Sequence, residues 1–279
     1  MVAQIIDGKQ IADEILKDIR QKVKNLKQKP GLALVMVGNN PASEVYVNFK
    51  EKDSKEVGFY CERYNLSEQT SETELITILN ELNNKPAIHG ILVQLPLPKQ
   101  IDEKLITDCI LPQKDVDGFT AVNLGNLMSE KTIMAPATAR AVIHLIESTK
   151  TKIEGKNAVV VGRSNIVGKP VAMMLLEKNA TVTVCHSRTK NLSEFTKKAD
   201  ILVVAVGKPN LITKEMVKAG AVVIDVGINR IGKKLIGDVD FDSVKEVAGF
   251  ITPVPGGVGP MTRAMLMYNT LKAVEMQNQ

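Results

Sequence analysis

A tyrosine and a lysine four positions apart, Tyr46 and Lys50, stand in the segment PASEVYVNFK at residues 41–50. The preceding run GLALVMVG (31–38) reads as a buried strand, and Ser43 is the predicted N-cap of the helix that follows. Positions four apart share one helical face, so the phenol and the amine point the same way. Such a pair can handle a proton, and it can equally be a surface tyrosine lying on a lysine stem. The segment alone leaves both readings open.

A second candidate is a turn. The run NAVVVG (157–162) leads directly into GRSNIVGKP (162–170), which places Gly162, Ser164 and Gly168 between a predicted strand and a predicted helix. Small residues there let a backbone approach a pyrophosphate, whose charge is favoured at a helix N-terminus. The spacing departs from GxGxxG, and glycine can stand in such a turn for its geometry alone. About 20 residues further on, an NAD-binding fold carries a carboxylate for the ribose hydroxyls. Here that strand ends in Cys185, His186, Ser187 and Arg188 instead. With Arg163 in the turn, Ser187 and Arg188 suit a 2′-phosphate, because guanidinium donors match phosphate oxygens. NADP is expected over NAD.

These residues need elements to hold them. Short β-branched runs alternate with helical patterns: LALVMV (32–37), GFYCERY (58–64), a helix near 71–83, and IHGILVQLPLP (88–98). A helix near 138–149 opens a second series with strands at 157–162, 180–185, 200–207 and 221–227. This predicts two α/β units with mainly parallel sheets, the second Rossmann-like, with a boundary near 118–140. The segment MTRAMLMYNTLKAVEM at the end reads as a helix.

The 279 residues are 44% hydrophobic, enough for substantial cores, yet no apolar run approaches the roughly 18 residues of a membrane span. The first residues carry Asp and Glu, unlike a signal peptide, so a soluble cytoplasmic protein without a membrane partner is expected. The net charge of +5 includes lysines spread through KDIRQKVKNLKQK (17–29), which read as a solvated helix face. With four Tyr, six Phe and no Trp there is little material for stacking bases, so no nucleic acid is expected. Cys61, Cys109 and Cys185 show no CxxC spacing and His89, His144 and His186 no ligand spacing; free thiols and no metal site are predicted.

Five segments taken together are more specific: YVNFK (46–50), GILVQLPLP (90–98), PQKDVDGF (112–119), GRSNIVGKP (162–170) and ITPVPGGVGPMT (251–262). In order and without large gaps, from about residue 5 to about 272, the chain resembles the bifunctional methylenetetrahydrofolate dehydrogenase/methenyltetrahydrofolate cyclohydrolase family. The resemblance implies NADP-linked oxidation of 5,10-methylenetetrahydrofolate, then hydration to 10-formyltetrahydrofolate, in one cleft between two domains of a homodimer. It implies a folate-binding domain over 1–136, an NADP-binding domain over 137–261, and a helix over 262–279 packing back on the first. Carried over by position, the catalytic residues are Tyr46, Lys50, Gln94 and Asp117. The carried-over cofactor positions are Gly162, Arg163, Ser164, Ser187 and Ile228, to which the turn and strand-end readings add Gly168 and Arg188; Pro255, Gly256 and Gly257, whose proline and glycines permit close backbone approach, join Tyr46 and Asp117 as substrate candidates. Two stretches depart from the family pattern. Its Pro-Cys-Thr-Pro-x-Gly appears here as Pro136, Ala137, Thr138, Ala139, Arg140 and Ala141, and Arg263 stands where a small apolar residue is usual.

The implied chemistry sets demands on these residues. Hydride leaves a carbon held between two nitrogens, whose lone pairs delocalise the cation, so that step needs positioning. Hydration needs a base, and a lysine serves only when neutral; burial and a cationic substrate both favour that form. Gln94 would orient the amine, although a glutamine can also simply cap a buried strand. Asp117 suits the donor edge of a pterin, although an Asp before Gly is also an ordinary turn residue. The competing functions are another two-domain NADP oxidoreductase and a catalytically silent nucleotide-binding module. The joint presence of Tyr46, Lys50, Gln94 and Asp117 weighs against both.

Overall fold

Strands that are apolar on both faces need cover on both sides, which parallel sheets flanked by helices supply. The computed structural model, which describes residues 2–132, 134–232 and 234–277, has that form. In chain order its elements begin with β1 (Gln4–Ile5), α1 (Gly8–Lys24), β2 (Gly31–Val37), α2 (Pro41–Glu56), β3 (Tyr60–Leu66), α3 (Glu72–Asn84) and β4 (Gly90–Val93). Helices α4 (Glu103–Asp108), α5 (Ala121–Met128) and α6 (Ala137–Ser148) follow. Then come β5 (Asn157–Val161), α7 (Gly168–Glu177), β6 (Thr181–Cys185), α8 (Leu192–Thr196), β7 (Ile201–Val204) and β8 (Val222–Asp225). The last elements are β9 (Asn229–Ile231), β10 (Lys234–Ile236), α9 (Phe241–Val244), β11 (Phe250–Ile251) and α10 (Val258–Gln277). Contacts divide the chain into two units: residues up to Ala12 with Thr138–Thr262, and Asp13–Ala137 with Arg263 onward.

The unit of Asp13–Ala137 is built on a three-stranded parallel sheet in the order β3-β2-β4. Every residue of β2 is buried, as its uninterrupted apolar run requires of a central strand. Leu75, Leu79 and Leu82 recur at helical spacing on α3 and pack with Ala33, Val35, Ile88 and Ile91 into one core. Because β3 and β4 lie on opposite sides of β2, the strand order reverses there, leaving a crevice beyond the carboxyl ends of β2 and β4.

The other unit holds a six-stranded parallel sheet in the order β1-β11-β8-β7-β5-β6. Its reversal falls between β5 and β7. A two-stranded antiparallel hairpin, β9 with β10, projects after β8. The core runs through Val159, Val161, Leu202, Val204, Val223 and Ile251. The mainly parallel α/β fold expected from the alternation is therefore present in both units. The two-residue strands β1 and β11 and the β9–β10 hairpin are additions that the alternation does not predict. The lysines and arginine of 17–29 are exposed, and the three cysteines are free thiols, Cys185 buried and the others half-buried. Among the described residues no helix is long and apolar enough to cross a membrane.

α10 is fastened to the unit of Asp13–Ala137 by side-chain amides. Asn269, fully buried, donates from Nδ2 to the carbonyls of Val116 (2.8 Å) and Ala135 (3.0 Å), and Gln277 donates to those of His89 and Gln113. Asn269→Leu strands two buried carbonyls at about 1–3 kcal/mol each. The expected outcome is a melting temperature lower by several degrees in a thermal scan; an unchanged transition would show that these bonds carry no stability.

Candidate active site

Helix α2 starts earlier than Ser43. Pro41 occupies the first helical position, where it has no N–H to leave unsatisfied, and Asn40 Oδ1 accepts from the amides of Ala42 (3.0 Å) and Ser43 (3.1 Å). Asn40 is thus the N-cap predicted at Ser43, and Ser43 turns inward instead. The inward stripe of α2 is Ser43, Val47, Lys50, Asp53 and Ser54, in which only Val47 is apolar.

Lys50 is 9% exposed, and its Nζ donates to Gln94 Oε1 at 3.0 Å. Gln94 follows β4, with its amide nitrogen bonded to the carbonyl of Val35 (2.8 Å) and its Nε2 to that of Leu95 (2.7 Å). The amine therefore lies in the crevice at the reversal of the small sheet. Burial pushes the Lys50 pKa below its ordinary value, and the nearby Asp117 carboxylate opposes that shift. Burial raises Asp117 to about 6, against the pull of Lys50 and with a further push from Asp115. Tyr46 stands one turn before Lys50 on α2, half-buried.

Asp115 is not among the predicted site residues, yet its carboxylate shapes the turn that presents Asp117. It accepts from the amides of Gly118 (2.9 Å) and Thr120 (2.8 Å) and from Asn123 Nδ2 (2.9 Å). Gly118 has φ +73°, and a Cβ there would lie 2.7 Å from the backbone of Ala135 and Pro136, so the turn requires glycine. Ala137, Ala139 and Ala141 are buried at the start of α6.

In the larger sheet, Gly162, Arg163 and Ser164 follow β5, and Ser187 and Arg188 follow β6, its direct neighbour. The Gly162 amide donates to the Cys185 carbonyl (2.9 Å), drawing the two turns together. Gly162 has φ +130°, and a Cβ on Gly168 would lie 2.3 Å from the Gly162 carbonyl oxygen, so the turn closes only with glycine at both places. Ser164 Oγ accepts from the amides of Val167 and Gly168 at the start of α7. Arg163, Ser164, Ser187, Arg188 and, after β8, Ile228 are exposed. Pro255, Gly256 and Gly257 precede α10 in this unit, whereas Tyr46 and Asp117 belong to the other. Gly257 lies so close to Gly8 that a Cβ on Gly8 would meet its carbonyl oxygen at 2.0 Å.

Two family models match. The catalytic domain of tetrahydrofolate dehydrogenase/cyclohydrolase covers residues 6–117, and its NAD(P)-binding domain covers 136–278. The chain belongs to the tetrahydrofolate dehydrogenase/cyclohydrolase family. It is 56% identical over 277 residues to a bifunctional protein FolD of Moorella thermoacetica, covering 98% of this chain and 99% of that one. The crystal structure of the Campylobacter jejuni bifunctional enzyme superposes with a TM-score of 0.96 at 45% identity, over 99% of each chain. The Trypanosoma brucei dehydrogenase-cyclohydrolase, solved in complex with NADP and an inhibitor, gives 0.97 at 37% identity over 100% of this chain and 99% of that one.

Arg263 has a partner on α2. Its Nε lies 3.1 Å from Asp53 Oδ2, and its guanidinium sits 4.6 Å from the centre of the Phe49 ring. The N–H is not aimed at the oxygen, so this is an ion pair without a formal hydrogen bond. Burial raises the Asp53 pKa and Arg263 opposes the rise. Arg263→Met leaves Asp53 buried without its cation, a loss of about 3–5 kcal/mol for a fully buried pair and less here, where the arginine is 22% exposed. Chemical denaturation is expected to show that loss in Arg263→Met and its recovery in the Asp53→Ala/Arg263→Met double variant. A double variant as unstable as the single would refute the pairing.

Proposed function

We infer that the protein oxidises 5,10-methylenetetrahydrofolate to the methenyl cation with NADP and hydrolyses that cation to 10-formyltetrahydrofolate, a bifunctional activity of one-carbon metabolism. Membership of the family and the near-complete likeness to bifunctional relatives support the two activities. The observation that carries the assignment of residues is the Lys50 amine, buried, 3.0 Å from Gln94 and beside Asp117.

The residues of the larger sheet fit a phosphorylated dinucleotide. The glycine-closed turn at 162–168 ends at a helix N-terminus and carries the exposed Arg163, and the exposed Arg188 stands after β6 where a ribose-binding acid would otherwise be. When bound, NADP accepts the hydride. Gly162, Ser164 and Gly168 hold its pyrophosphate, Arg163, Ser187 and Arg188 its 2′-phosphate, and Ile228 packs against it.

Tyr46 offers an aromatic face to the folate, Asp117 accepts from the donor edge of the pterin, and Pro255, Gly256 and Gly257 let backbone come close to the ligand. In the hydration step, water adds to the methenyl carbon and its proton passes to the neutral Lys50 amine, which Gln94 orients. The carbon–nitrogen bond to N5 then opens, the new hydroxyl giving up its proton as N5 takes one, which leaves the formyl group on N10. A homodimer is part of the same reading: among the described residues β3 pairs only with β2 and presents its outer edge to a second copy. So is a cytoplasmic location, which suits three free thiols.

Lys50→Met keeps much of the stem and removes the amine. Cyclohydrolase activity is expected to fall roughly a hundredfold or more, with dehydrogenase activity on the same preparation far less affected. Full hydrolytic activity in that variant would remove Lys50 from the mechanism.

A further inference from the structure

Asp238 is fully buried, yet it follows a short hairpin strand and belongs to no predicted motif. Its carboxylate spans two loops. Oδ2 accepts from the amides of Val206 (2.7 Å) and Gly207 (2.9 Å), directly after β7, and Oδ1 accepts from Asn229 Nδ2 (2.8 Å), directly after Ile228. A carboxylate accepting several N–H donors makes strong, charge-assisted bonds.

The carboxylate is itself held. Asp225, at the end of β8, accepts from the amides of Asp238 (3.0 Å) and Gly227 (2.9 Å) through Oδ1 and from Val239 (2.9 Å) through Oδ2, and its own amide donates to Thr252 Oγ1 (2.8 Å). A Cβ on Gly227 would fall 2.3 Å from Asp238 Cγ, so glycine is what admits the Asp238 side chain. A surface carboxylate serving only as a turn cap would need neither this burial nor this second acid behind it.

The loop it holds is the one that matters for a nucleotide. In open α/β sheets the ligand lies beyond the carboxyl ends of the strands at the reversal of strand order, here β5 and β7. The two ends touch: a Cβ on Gly162 would meet the Ala205 carbonyl oxygen at 2.3 Å. The backbone after β7 is therefore one wall against which the Gly162 turn is formed, and Asp238 fixes that wall through the next two amides.

We propose that Asp238 is a positioning residue for NADP, holding the 206–207 loop and the Ile228 loop in the geometry that the dinucleotide requires. It touches no reacting atom. The proposal rests on the assignment of NADP to this sheet, and the two activities of the protein separate its effect from general damage, because hydration of the methenyl cation uses no nucleotide.

Asp238→Asn preserves shape but removes the charge and leaves one oxygen for three donors, so the 206–207 amides and Asn229 can no longer all be satisfied. NADP affinity by calorimetry and the NADP KM of the dehydrogenase should both weaken about tenfold or more, equivalent to one charge-assisted bond, while cyclohydrolase activity stays within about twofold. Asn229→Ala, which removes a single bond and leaves the carboxylate in place, should weaken NADP by a smaller factor, and it decides the matter if Asp238→Asn does not fold. An unchanged NADP constant in the folded variants, or an equal loss of both activities, overturns the proposal. A wild-type protein that does not bind NADP removes the underlying assignment and the proposal with it. Wild-type binding with undiminished binding by the variants removes the proposal alone.

Discussion

An amine held out of water is the constraint around which the smaller sheet is organised. A lysine buried in a protein loses hydration of its charged form, and it stays neutral near physiological pH only if no anion compensates fully. Lys50 sits between those limits: burial lowers its pKa, Asp117 partly restores it, and Gln94 supplies a neutral acceptor that fixes direction without adding charge. The same burial raises Asp117 to about 6, so the two groups moderate each other.

That requirement spreads into the helix. With Ser43, Lys50, Asp53 and Ser54 turned inward, α2 buries a single apolar side chain on its inner stripe, and apolar packing alone holds it weakly. Polar anchors hold it instead. Asn40 caps its start, Gln94 meets it at its middle, and Arg263 grips both Asp53 and Phe49, which flank Lys50. The larger sheet solves a comparable problem with carboxylates, where Asp225 and Asp238 brace loops that must approach one another at glycines. In both sheets the candidate chemistry stands at the reversal of strand order.

The sequence made the framework legible where local pattern and tertiary role coincide. GLALVMV is apolar on both faces because it is a central parallel strand, and NAVVV running into Gly162 reads as strand and turn for the same reason. Tyr46 and Lys50 are visible as a helical pair, but their surroundings are not: Gln94 reaches the amine through strand pairing, which spacing along the chain does not reveal. The helix start predicted at Ser43 is three residues late because both Asn40 and Ser43 are capping types, and the proline between them decides. β1 and β11 are too short to show a period. Asp53 with Arg263, and Asp238 with Val206 and Gly207, join positions far apart in sequence, and each looks locally like an ordinary polar residue.

The protonation state of Lys50 decides whether the site holds a base. Carbon-13 labelling of lysine side chains, with Lys50→Met to assign its resonance, allows the Lys50 Cε shift to be followed against pH. A neutral amine at Lys50 titrates distinctly below the roughly 10.4 of an ordinary lysine. A Lys50 that titrates at or above that value would be an ammonium ion throughout the working range, and the proposed base would not exist.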